Sequence, residues 1–115
     1  MKAKTIKVTL YSGRHEIPGD PDPIYRDFKF RNFKPIPADS PVEGFEDMVD
    51  YLLNQLNTQE KIYLYIYVTG LTPALTDFLS KALPKANANR NHKIILLHYN
   101  RKRKEYEEQV VTRIP

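Results

Sequence analysis

The chain has 115 residues, is 41% hydrophobic and 28% charged, and contains no cysteine. That is one domain's worth of sequence with enough apolar residues for a core, and it excludes disulfides, thiol catalysis and cysteine-held zinc. The net charge of +4 is unevenly spread: residues 78 to 104 hold eight Lys or Arg and no acid, whereas the first 60 hold ten acids and eight bases. A basic segment of this kind attracts phosphate-bearing partners, or simply keeps a small domain solvated.

No apolar run approaches the ~20 residues of a membrane-spanning helix. Met1 to Lys7 alternates charged and apolar residues and lacks the apolar core of a signal peptide. A cytoplasmic protein without membrane contact is expected. From Thr5 to Tyr11, Ile6, Val8 and Leu10 alternate with Lys7 and Thr9, the period of a half-buried strand. Between Ser12 and Asp39 lie Pro18, Pro21, Pro23, Pro35 and Pro37, with Gly13 and Gly19. This predicts a long ordered loop with one extended piece over 28–33.

A helix is predicted next. Ser40-Pro41-Val42-Glu43 has the form of a capping box with proline at the first helical position. Phe45, Met48, Val49, Leu52, Leu53 and Leu56 then follow helical spacing. Ile62 to Val68 is apolar or aromatic throughout, with Ile62, Leu64, Ile66 and Val68 on one side and Tyr63, Tyr65 and Tyr67 on the other. Such a strand is expected between two helical layers, its tyrosines packing. A row of rings also suits base stacking.

Thr69-Gly70-Leu71-Thr72-Pro73 ends this strand, and a helix follows at once. Thr72 is the expected N-cap, Pro73 the first helical residue, and Leu75, Phe78, Leu79, Ala82 and Leu83 the buried stripe ending at Pro84. A third strand is predicted over 93–99, then a basic turn and a return strand over 106–112. Strand, helix and strand form a βαβ unit. The whole predicts a small Rossmann-like three-layer α/β fold over residues 1–115, a mostly parallel sheet with a C-terminal β-hairpin.

Ligands of open α/β sheets lie beyond the carboxyl ends of the parallel strands. Three such ends are expected to run side by side. They offer Ser12, Gly13, Arg14 and His15; Thr69, Gly70 and Thr72; and His98, Asn100 and Arg101. Hydroxyls, backbone N–H groups and guanidinium groups gathered there suit a phosphate ligand. Duller readings exist for each: turn chemistry for Ser12-Gly13, capping for Thr69 and Thr72, a satisfied strand histidine for His98. His15, His92 and His98 lack metal-ligand spacing, and Gly70 alone is neither a dinucleotide fingerprint nor a P-loop, so no metal or cofactor is expected.

Thr69-Gly70-Leu71-Thr72-Pro73-Ala74-Leu75 after a buried strand resembles the strand-to-helix ligand motif of CRISPR-associated Rossmann-fold (CARF) domains. The Ser12-to-His15 loop and the βαβ unit ending in Leu96-Leu97-His98-Tyr99 are similar to small single-domain CRISPR-associated proteins proposed as ring nucleases, and to small bacterial and phage proteins. The resemblance covers about half the chain. It implies a homodimer of antiviral defence that binds a cyclic oligoadenylate and cleaves it without metal. Ser12, Thr69 and Thr72 would hold phosphates, Arg14 would neutralise developing charge and His15 would move the proton. Leu71 and Pro73 stand where the family's turn usually has a second glycine and a lysine, so Arg14 or Arg101 would have to supply that charge. The alternative from the residues themselves is a non-enzymatic module that binds protein or RNA through residues 93–104, or a phage or mobile-element accessory protein without catalysis.

Overall fold

In the computed structural model, residues 3–11, 17–29, 34–69 and 72–112 are described. Among these residues, six strands and two helices follow one another as β1 (Lys4–Tyr11), β2 (Pro23–Lys29), β3 (Lys34–Pro37), α1 (Met48–Gln55), β4 (Ile62–Tyr67), α2 (Thr72–Asn87), β5 (His92–Asn100) and β6 (Glu105–Val110). The strands form one sheet in the order β3-β2-β1-β4-β5-β6. The four inner strands run parallel, β1 matching β4 from Lys4↔Ile62 to Thr9↔Tyr67 and β4 matching β5 from Ile62↔His92 to Tyr67↔Leu97. Both outer strands are antiparallel to their neighbours. The sheet is therefore mixed rather than mostly parallel, and the expected βαβ unit and C-terminal hairpin are both present.

The proline-rich segment is not simply a loop. It contains β2 and β3, which pair with each other through a register shift between Tyr25 and Asp27. Pro35 and Pro37 are tolerated because β3 is an outermost strand, where a missing N–H can face away from its neighbour. Part of the predicted extended piece, 30–33, lies outside the described residues.

Helix α1 starts later than the capping-box signal implies. Ser40 folds back on itself: its Oγ accepts from the Val42 N–H at 3.0 Å. Gly44 then takes φ +95°, which is left-handed backbone that no helix can continue through. The N-cap is Asp47, whose carboxylate accepts from the Asp50 N–H at 2.7 Å. The segment is pinned by the Met48 N–H donating to the Ala38 carbonyl at 2.8 Å. Helix α2 likewise passes through Pro84 to Asn87 instead of stopping there. One further turn, ending in fully buried Ala86, docks on the core and outweighs the hydrogen bond that proline cannot make.

The core lies on one side of the sheet. Val8, Ile66 and Leu96 are register partners, as are Leu64 and Ile94. They join Met48, Val49, Leu52 and Leu56 around α1, and Ala74, Phe78, Ala82 and Ala86 of α2, in a single cluster. Phe78 and Leu10 are 0% exposed. Each large apolar side chain so buried contributes about 1.5–3 kcal/mol. Both helices thus pack on the aliphatic side, and among the described residues no helix covers the side carrying Tyr63, Tyr65 and Tyr67. The expected third layer is not seen there.

Candidate functional site at the carboxyl ends of the parallel strands

From β1 the chain moves to β2 on one side, and later places β4 on the other side of β1. β1 and β4 therefore flank a topological switch point, the place at which ligands of open α/β sheets bind. The ends of β1, β4 and β5 lie side by side in one direction, as the sequence reading requires.

Thr69 lies just past the end of β4, at this switch point. It is 6% exposed, and its hydroxyl accepts from the Tyr11 N–H at 3.2 Å and donates to the Tyr11 carbonyl at 3.1 Å. The hydroxyl that the sequence offers to a phosphate is spent on bracing β1 against the end of β4. Thr72 is the first residue of α2, and its carbonyl accepts from the Thr76 hydroxyl at 3.0 Å. The helix start is held over the strand ends by Tyr25, whose phenol donates to the Asp77 carboxylate at 2.9 Å. Lys81 holds the same carboxylate at 3.2 Å. Burial, then the bond to Asp77 and the charges of Asp77 and Asp47, push the Tyr25 pKa well above the ordinary tyrosine range.

Asn100 serves the β5–β6 turn. Its Oδ1 accepts from the Lys102 and Arg103 N–H groups at 3.0 and 3.2 Å, and its Nδ2 donates to Glu107 at 2.9 Å. Arg101 is exposed in the same turn, beyond Leu97, the residue registered with the end of β4. Both residues stand at the correct end of the sheet, but on a hairpin that projects past the switch point. His98 is a satisfied strand histidine, paired through Nε2 with Gln109 at 2.7 Å. Ser12, Gly13, Arg14, His15 and Gly70 lie outside the described residues.

The sequence reading gave little weight to the tyrosine side of the sheet. Tyr65 and Tyr67 of β4, Leu97 of β5 and Tyr106 and Glu108 of β6 surround a shallow hollow of about 360 Å³ that Thr5 and Lys7 of β1 complete. The signal was the strict alternation at Tyr63, Tyr65 and Tyr67. It was discounted because a second helical layer was expected to cover it.

Comparison with known proteins finds no matching family model, no matching curated protein and no matching solved structure.

Proposed function

We propose that the protein binds a phosphate-rich nucleotide at the switch point between the carboxyl ends of β1 and β4. The switch point supports this reading, together with the start of a sixteen-residue helix soon after β4, since a helix N-terminus favours an anion. The resemblance to CARF domains narrows the ligand to a cyclic oligoadenylate bound by a Rossmann-like homodimer. Thr69 acts as a brace in this reading, and phosphate contact falls to Ser12, Gly13, Gly70 and Thr72, with Arg14 supplying charge.

Cleavage, in the same proposal, needs no metal. A ribose 2′-oxygen attacks its neighbouring phosphorus as the bond from phosphorus to the 5′-oxygen breaks, leaving a 2′,3′-cyclic phosphate and a 5′-hydroxyl. His15 is assigned the proton transfer and Arg14 the charge that builds on the phosphoryl oxygens. Holding the two oxygens in line supplies much of the rate.

Calorimetry with cyclic oligoadenylates and with ordinary nucleotides tests the binding. Wild type is expected to bind a cyclic oligoadenylate, and a protein carrying Arg14→Ala with Thr72→Ala is expected not to. Equal binding by both proteins removes the reading. Chromatography of the ligand after incubation in chelator separates binding from cleavage.

A further inference from the structure

The side of the sheet that no described helix covers has a chemistry of its own, independent of the switch point. Its aromatic residues are Tyr63, Tyr65 and Tyr67 on β4, Tyr99 on β5 and Tyr106 on β6. Tyr67 and Tyr106 meet edge to face with ring centres 4.9 Å apart, and Tyr99 and Tyr106 at 5.2 Å. Tyr99 is 50% exposed, although it is large and aromatic. Between these strands Ile95 and Leu97 form an apolar floor, 3% and 8% exposed.

Lysines punctuate the rings. Lys7 lies 6.0 Å from the centre of Tyr65, and Lys61 and Lys93 lie 5.5 and 5.4 Å from that of Tyr63. None of the three has a carboxylate partner among the described residues. Beyond Tyr99 the chain enters the exposed turn Arg101-Lys102-Arg103-Lys104, where only Arg103 has an acidic partner among the described residues, Glu105 at 3.6 Å. From Lys93 to Arg101 the strand rise gives a strip of about 26 Å, cationic at both ends and aromatic between.

We propose that this face is a platform for single-stranded RNA. Exposed Tyr99 and the half-buried Tyr63, Tyr65 and Tyr106 offer ring surface on which unpaired bases stack, with buried Tyr67 supporting Tyr106 from beneath, and stacking tolerates sequence because every base has a flat face. The lysines and the basic turn follow the phosphates along each side. Glu108 and Thr5, at the rim of the hollow, provide an acceptor and a hydroxyl for a ribose 2′-hydroxyl, the group that separates RNA from DNA. The Tyr106 phenol is pushed up by burial and by the neighbouring phenols Tyr67 and Tyr99, so it stays neutral beside a phosphate chain. A second copy of the chain fits less well, because a two-fold contact would bring two cationic patches of the same kind together.

Fluorescence anisotropy with a labelled twelve-nucleotide RNA of mixed sequence, and with the matching DNA, tests the proposal. Binding is expected to weaken with salt, with a slope of log K against log salt of about −2 to −3 for three or four phosphates contacted. The exposed-side pair Lys7→Gln/Lys93→Gln should make that slope shallower by about 1.4. Tyr65→Ala or Tyr106→Ala should weaken binding about 5- to 150-fold, while Tyr106→Phe keeps the ring and the affinity. Because the lysine pair carries no core packing, a tyrosine variant that fails to fold still leaves the proposal testable. Absence of RNA binding at low salt, a slope unmoved by the lysine pair, or DNA bound as tightly as RNA would overturn it. So would sedimentation showing a dimer that Tyr106→Ala dissolves.

Discussion

Replacing Tyr25 with Phe removes one oxygen and tests how the start of α2 is held. In the native chain Tyr25 is 1% exposed, and its phenol is the described side-chain hydrogen bond between β2 and α2. A hydrogen bond to a charged group contributes about 1.5–3 kcal/mol. Asp77 is 31% exposed and keeps Lys81 at 3.2 Å, so it can rehydrate, and the lower range of about 1–2 kcal/mol is expected. Spread over 115 residues, an unfolding entropy of about 2.1 cal/mol/K per residue makes this a fall in Tm of about 4–8 °C. The pH dependence is the sharper test. The folded state raises the Tyr25 pKa, so the native stabilisation is intact below the ordinary tyrosine value of about 10 and is lost as pH rises above it. The phenylalanine variant has no such proton to lose. Urea denaturation followed by circular dichroism should therefore show a gap of about 1–2 kcal/mol at pH 7 that closes by roughly pH 11–11.5, at about 1.4 kcal/mol per pH unit. A gap below 0.5 kcal/mol at pH 7, or one that stays constant through pH 11, would refute the reasoning.

Two further changes probe the local devices described above. Asp47→Ala should cost about 1 kcal/mol in denaturant melts, and Asp47→Asn should recover most of it, because an amide oxygen can still cap α1. Thr69→Val should cost about 1 kcal/mol through the lost bonds to Tyr11, while Thr69→Ser, which keeps the hydroxyl, should cost less; a larger loss for Thr69→Ser than for Thr69→Val would mean that the methyl group, not the oxygen, matters.

Where hydrophobic period and chain connectivity agree, the sequence was a good guide. The alternation in β1, the apolar run of β4, the amphipathic α2 and the return strand β6 all appear near their expected places. Errors arose where a local signal competed with a tertiary one. Prolines suggested a loop through 18–37, yet an outermost strand accepts Pro35 and Pro37. Ser40 to Glu43 carried a capping pattern, but Gly44 breaks the helix and Asp47 caps it instead. Pro84 suggested an end that the docking of Ala86 overrides. The tyrosines of β4 were read as buried between layers because period alone does not say whether a second helix covers a face. At the switch point, the parallel ends were legible from strand and helix order. The engagement of Thr69 with Tyr11 was not, since it depends on two backbone groups 58 residues away in the chain.

The two outermost strands bear on how copies of this protein can meet. β3 has four residues, two of them prolines, and β6 displays Glu105, Glu107 and Glu108 within six exposed or half-exposed positions. Proline withholds donors, and clustered carboxylates repel their own image, so neither margin invites another chain to zip on and lengthen the sheet. Self-association that preserves this fold must therefore proceed through a broad face or through the loops at the strand tips, which makes fibre-like growth by strand addition an unfavourable route for this molecule.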